Sequence, residues 1–260
     1  MAASPLDDLA LVSLDELVLH ETIEPLRAER VRAEIARAGV LADPVVVTPA
    51  GPGRWLVLDG AHRTAALRSL GMRSAVVQVM TLSPAGAHLD SWAHDLPVGG
   101  VPHDLDAPGP VGGPVLVARV GRQAPDGTWA DGVPVTGPAD PVARAAVMSA
   151  LARRYAGRPY RRAVPGTAVR PGVAARVRWA PWSAEDLLTL ITARGTLPAG
   201  TTRFVLPGRV LGVRVGLSVL AAEPRGGEDG TGEHAEVVTA LRRQTVRTYT
   251  EAVHVVEAGS

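Results

Sequence analysis

The chain predicts an α+β fold in two parts, and three observations carry that expectation. Residues 28–80 run through a helix, a hairpin, a helix and a strand; residues 97–141 turn to glycine and proline; beyond them, apolar β-rich runs alternate with helical stretches. In the first part, "AERVRAEIARA" (28–38) sets Val31 and Ile35 on one helical face among arginines and glutamates, and Gly39 can close that helix. "PVVV" (44–47) and "RWLVL" (54–58) are β-rich runs joined by "TPAGPG", the pattern of a hairpin. The second run leads directly into "DGAHR"; Thr64 to Leu70 continues as a helix that Gly71 ends, and Ser74 to Met80 reads as a strand.

The stretch from Pro97 to Pro141 reads as a linker or long loop enclosing one hairpin, "VLVARVGRQAPDGTWADGVPV", with its turn at "PDG". A helix is expected from about Val142 to Tyr155, a strand over "VAARVRW", and a helix capped by Ser183 with Asp186 at the capping-box position. "LPAGTTRFVLPGRVLGVRVGLSVL" is expected to form strands joined by turns, and "EPRGGEDGTGE" a mobile loop. Ala235 to Glu257 could begin helical and finish as a strand.

Composition narrows the chemistry. At 260 residues, 46% hydrophobic and 20% charged, the chain can bury an ordinary core. It has no apolar run of the roughly 18–20 residues a membrane span needs, and "MAASPLDDLALVSLDEL" lacks a basic leader region, so a cytoplasmic protein is expected. A net charge of +1 provides no general field for nucleic acid. There is no cysteine, which removes thiol catalysis, disulfides and iron–sulfur clusters. All 27 basic residues are arginine. Phosphate loops ending in lysine, lysine-dependent protein-kinase chemistry and pyridoxal Schiff bases are therefore absent too.

The "DGAHR" turn carries the most chemistry. A strand entering a helix through Asp59, Gly60 and Ala61 exposes the helix's first N–H groups, which favour an anion, and the small residues allow it close. His62 and Arg63 add charged donors, and Asp59 could hold Mg²⁺. The alternative is a plain turn, with Asp59 as a cap and Arg63 on the surface. Glu21, after His20 in "VLHETIEP", could act as a general base on a hydroxyl or be a first-turn acid. Trp92, flanked by His88 and His94, could shape a pocket or belong to the core. Around "TTRFVLPGR", two threonines and two arginines could grip a carboxylate or phosphate, or form a polar strand edge. No spacing of His, Asp and Glu suggests a structural metal cage.

In their order, "VLHE", "PVVV", "VLDGAHRTAALRSLG", "SW" and "LPAGTTRFVLPGRVL" resemble the free L-serine kinases, along nearly the whole chain. The resemblance implies a ParB/sulfiredoxin-like nucleotide-binding domain over 1–82, a mixed α/β substrate-binding domain over 83–260, and an active site in the cleft between them. It implies phosphoryl transfer from ATP or ADP, with Mg²⁺, to the hydroxyl of free L-serine, giving O-phospho-L-serine for a biosynthetic pathway. Catalysis would rest on Glu21 and Asp59. Asp59, Gly60, His62 and Arg63, with Ala61 and Thr64 beside them, would bind nucleotide phosphates; Ala61 stands where the family has a histidine. His20, Glu21, Trp92, Thr202 and Arg203 would bind the amino acid, and Phe204 stands where a histidine is usual. These two departures leave open another hydroxyl acceptor, or a nucleotide-responsive regulator without catalysis. A sulfiredoxin would need a cysteine in the turn, and a ParB partition protein a basic helix-turn-helix region; neither is present.

Overall fold

The structure, a computed structural model, describes residues 4–83, 86–105, 112–124, 126–222 and 233–245. Its first part comprises β1 (Leu9–Ser13), β2 (Leu17–Val18), α1 (Pro25–Ala38), β3 (Val40–Leu41), β4 (Val45–Pro49), β5 (Trp55–Asp59), α2 (Ala61–Ser69) and β6 (Ser74–Val79). Five of the strands form a mixed sheet in the order β1-β6-β4-β5-β2; β4 lies parallel to β6 and β2 parallel to β5. Strand side chains alternate between faces, and β4 and β5 are apolar on both. Val45, Val47 and Val57 face a core with Ile35, Ala66 and Leu67 of the two helices. Val46, Leu56 and Leu58 point the other way, into a core they share with Leu96, Val117 and Met148. The strand that ends at Asp59 is therefore clamped from both sides.

The second part comprises β7 (His88–Ser91), β8 (Ala93–Pro97), β9 (Val115–Gln123), β10 (Trp129–Gly137), α3 (Pro141–Arg154), β11 (Arg161–Ala163), β12 (Val173–Trp179), α4 (Ala184–Thr192), β13 (Thr202–Val205), β14 (Val215–Gly216), α5 (Leu217–Ala221) and α6 (Glu233–Arg242). An antiparallel sheet runs β10-β9-β12-β8-β11, while β13 pairs with β7 and β14 with β3. Ser183 caps α4, its hydroxyl accepting the Asp186 N–H at 3.0 Å.

Three expectations need correction. The hairpin inside the proline- and glycine-rich stretch is no linker feature: β9 and β10 make two strands of the second sheet, and Val117, Val120 and Val135 enter its core. Leu217–Ala221 is helical, with Leu220 fully buried against the first core. Short strands at β1, β2, β7, β8 and β11 were not anticipated from the sequence. The carboxy-terminal segment begins as α6 over Glu233–Arg242; its remainder beyond residue 245, and almost all of "EPRGGEDGTGE", lie outside the described residues.

Residues 206–221 return to the first part. Gln78 Oε1 accepts the Val210 N–H at 2.9 Å, Ala42 O accepts the Arg214 N–H at 3.1 Å, and Val210, Val213, Val215 and Leu220 complete the first core. This strap delivers Arg209 to Asp59.

Within the second sheet, Asp95 and Arg176 form a bidentate pair at 2.5 and 2.9 Å, with side chains 4% and 5% exposed. Removing one partner leaves the other charge buried and unpaired. Asp95→Ala is expected to destabilise the chain by about 3–5 kcal/mol, read as a lowered urea midpoint; a loss under about 1 kcal/mol would contradict this.

Candidate functional site

A cleft of about 880 Å³ lies where β5, the start of α2, the start of α1, Trp92 and β13 converge. It gathers His20, Glu21, Asp59, Gly60, Ala61, His62, Arg63, Trp92, Thr202 and Arg203 from distant parts of the chain. Thr64 is not among them. It is fully buried, and its hydroxyl donates to Gly60 O at 3.1 Å, back into its own helix.

At the turn, Gly60 adopts φ +101°, in the left-handed region that glycine tolerates. A Cβ there would stand 3.0 Å from the Arg63 guanidinium, which folds back over the turn. Arg63 donates to Asp59 Oδ2 at 2.7 Å and to the carbonyls of Asp43 and Pro44 at 3.1 and 2.9 Å. Its side chain is only 17% exposed, and burial lowers its basicity against the pull of Asp59. Arg63 thus holds the turn in shape, which fits neither a loose surface residue nor a donor reserved for phosphate. Asp59 does not cap the helix: its Oδ2 accepts Arg63 and, at 2.6 Å, Arg209, leaving Oδ1 without a hydrogen-bond partner among the described residues. The N–H groups of Ala61, His62 and Arg63 precede the first intrahelical bond, Thr64 N–H to Gly60 O at 2.8 Å, and so are available to an anion. His62 Nε2 is buried with no partner in the described residues. Desolvation, then the nearby Arg27 charge, lowers the basicity of His62, so its imidazole is neutral near pH 7.

Across the cleft, Glu21 is fixed by the loop that leads into β13. Its Oε2 accepts the Gly200 N–H at 2.8 Å and its Oε1 the Thr202 N–H at 2.6 Å, while the Thr202 hydroxyl also donates to Oε1. His20 Nε2 lies 2.7 Å from that hydroxyl. Because the hydroxyl proton goes to Glu21, His20 must be the donor in the pair. The Leu197 N–H, bonded to His20 O at 2.7 Å, and the Thr22 N–H, bonded to Leu197 O at 2.9 Å, pin the same two segments together. Among the described residues Oε2 accepts a single hydrogen bond, and it keeps a lone pair for another donor. Phe204 packs edge-on against His20, with ring centroids 5.3 Å apart.

The two arginines of "TTRFVLPGR" diverge. Arg203 bonds Asp90 at 3.0 Å and lies over Trp92, 5.3 Å from its ring, whereas Arg209 serves Asp59. Glu24, Arg27 and Arg162 also border the site, and Tyr160 backs Glu24, its Oη donating to Glu24 Oε1 at 2.9 Å. Sequence reasoning missed these four. Glu24 carried a signal, an acid directly before the Pro25 that opens α1; Arg162, on a three-residue strand, carried none.

His94 is a core histidine. Tyr155 Oη and Nδ1 are 2.8 Å apart, Nε2 lies 2.8 Å from Gly200 O, and burial holds its pKa down at about 4. It therefore fixes Gly200, whose N–H serves Glu21. An unfolded histidine takes up a proton near pH 6.5, whereas His94 in the fold does not until about pH 4. Stability is complete above pH 6.5 and falls as pH drops toward 4, by about 3 kcal/mol from this group. Buried His20, also depressed by desolvation, adds in the same direction. His94→Gln is expected to flatten the pH dependence of the melting temperature between pH 6.5 and 4; an unchanged slope would contradict this.

No family model matches the chain. Over 93 residues it is 36% identical to the ATP-dependent L-serine kinase SbnI of Staphylococcus aureus, a stretch covering 36% of each chain. The match thus spans about a third of that relative's length. A solved structure of SbnI with a C-terminal truncation superposes with a TM-score of 0.70 at 22% identity, covering 90% of this chain and 97% of that one. A free serine kinase in complex with AMP gives 0.63 at 15% identity, covering 82% and 93%. The chain is thus similar in sequence to an ATP-dependent L-serine kinase over about a third of its length, and shares the fold of the truncated SbnI structure over 90% of it.

Proposed function

We propose that the chain is a small-molecule kinase that transfers the terminal phosphoryl group of ATP to the hydroxyl of free L-serine, giving O-phospho-L-serine and ADP. The observation that carries this is the juxtaposition, in one cleft, of a carboxylate fixed by two backbone amides and a helix start with open N–H groups. The relative's name, ATP-dependent L-serine kinase, supports the donor and the acceptor.

In this reading the first part, to about residue 82, is a ParB/sulfiredoxin-like nucleotide unit completed by the 206–221 strap, and the rest carries the acceptor side. The cleft between them is the active site, working in the cytoplasm where ATP is at hand. The acceptor hydroxyl hydrogen-bonds Glu21 Oε2, which takes its proton as the oxygen attacks the terminal phosphorus and the bond to the ADP oxygen breaks. The α2 amides bind the phosphates, Arg63 and Gly60 keep the turn in shape, and Arg209 adds positive charge at its rim. The open Oδ1 of Asp59 suits a Mg²⁺ ion, which commonly uses one or two protein carboxylates beside phosphate oxygens. Such an ion would neutralise charge on the transferring group. Among the described residues there is no cluster of three or more His, Asp or Glu for a metal cage, so the phosphates would supply most of its other contacts.

Phe204 against His20 supports a second reading, a kinase for a less polar hydroxyl compound. ADP release with ATP and Mg²⁺ across L-serine, L-threonine, L-homoserine and glycerol separates the two. L-serine is expected to give the highest kcat/KM; turnover only with another acceptor would overturn the serine assignment. A protein that turns over none of them, yet retains DNA with a steep salt dependence, would be a regulator.

A further inference from the structure

We propose that Arg162 is the receptor for the α-carboxylate of the acceptor amino acid, with Glu24 taking its ammonium group. This rests on the kinase reading above and assigns groups that the sequence did not indicate.

The cleft's arginines divide by what they already hold. Arg63 is spent on Asp59 and two carbonyls, Arg209 on Asp59, and Arg203 on Asp90. Arg27, Arg37 and Arg162 make no side-chain ion pair or hydrogen bond among the described residues, and of these Arg37 stands exposed in the last turn of α1. The other two unpaired guanidinium groups call for anions from a ligand, and a kinase of amino acids brings two: the donor's phosphates and the acceptor's carboxylate.

Position assigns them. Arg27 lies in the first turn of α1 and, of the two, its charge acts more strongly on His62 at the start of α2, on the phosphate side. Arg162 lies on the acceptor side. Its guanidinium carbon sits 5.5 Å from the centroid of the Trp92 ring, and its Cδ packs where a Cβ on Gly200 would stand, 3.2 Å away. Gly200 is also the residue whose N–H holds Glu21 Oε2. A hydroxyl at Glu21 and a carboxylate at Arg162 are therefore framed by the same residue, Gly200. Gly200 has φ +72°, and a side chain there would press on Arg162 and touch Tyr160 and His94. The Trp92 face, shared with Arg203, orients the planar guanidinium for a bidentate grip.

Glu24 supplies the opposite charge. Its Oε1 accepts the Tyr160 hydroxyl, and its Oε2 accepts no hydrogen bond from the described residues. Cation and anion on one wall match a zwitterion, and select against hydroxy acids and simple alcohols, which bring only one of the two charges.

The test compares L-serine with L-serinamide, which lacks the carboxylate, in the wild type and in Arg162→Gln, with ATP and Mg²⁺. The wild type is expected to prefer L-serine strongly in kcat/KM. Arg162→Gln should raise the KM for L-serine about thirtyfold, leave the KM for ATP unchanged, and bring the preference over L-serinamide close to unity. Arg162→Lys, which keeps charge but loses the fork, should recover part of the preference, and carries the same test should the glutamine variant misfold. An unchanged KM for L-serine, or a rise confined to ATP, would overturn the assignment. If the wild type phosphorylates no hydroxy amino acid, the kinase reading fails, and calorimetric binding of the same two compounds decides on Arg162 separately. Selective binding of L-serine that is lost in Arg162→Gln upholds it; equal binding of both compounds by the wild type overturns it.

Discussion

Replacing Glu21 with glutamine is expected to lower kcat for serine phosphorylation by about three orders of magnitude, the middle of the range for loss of a positioned general base. The amide keeps the size of the carboxylate but cannot take the hydroxyl proton. It also cannot accept from every donor now aimed at Glu21, the N–H groups of Gly200 and Thr202 and the Thr202 hydroxyl. A loss of about 1–3 kcal/mol in stability should accompany the kinetic effect, because a buried donor loses its acceptor. The KM for ATP should stay within about twofold, since the α2 amides are untouched; urea unfolding and steady-state kinetics read both. A variant that retains more than about a tenth of the wild-type kcat would remove Glu21 from the role of base.

The second large effect is expected at Asp59. Asp59→Ala strips the anion from Arg63, whose side chain is 17% exposed, and from the more open Arg209. Asp59 is itself 41% exposed, so solvent screening limits the stability loss to about 1–2 kcal/mol. The functional loss should be larger, about a hundredfold in kcat/KM for ATP, because the turn that aims the helix amides loses its brace and the phosphates lose the open Oδ1. Asp59→Asn separates the two contributions. An acceptor remains for Arg63, so stability should return while activity does not. Full activity in both variants would show that the turn does not handle the phosphoryl group.

These effects follow from features unequally legible in the sequence. The hairpin of β4 and β5, the helix after it and strand β6 were plain, because both faces of those strands are apolar and glycine marks the turns. "HLDSWAHDLP" hid strands β7 and β8. Its buried polar residues, His94 and Asp95, break the expected alternation, and what neutralises them is remote: Tyr155 is 61 positions away, Arg176 81 and Gly200 106. Periodicity within a short window cannot show a partner at that distance. At the site, the gathering of Glu21, the turn, Trp92 and Thr202 in one cleft was implied by the resemblance that their order carries, but the division of labour among the arginines was not. Arg63 reads locally as a phosphate donor, yet the carbonyls of Asp43 and Pro44, some twenty residues earlier, claim it. Thr64 lies one position further along α2 and faces the core.

The central claim is tested most directly by following the phosphoryl group itself. Purified protein is incubated with ATP, Mg²⁺ and L-serine, and the mixture is read by phosphorus NMR and mass spectrometry. The account predicts a phosphomonoester identical to O-phospho-L-serine, formed in equal amount with ADP and absent when L-serine is omitted. ATP consumed with release only of inorganic phosphate, or no consumption at all, would contradict it.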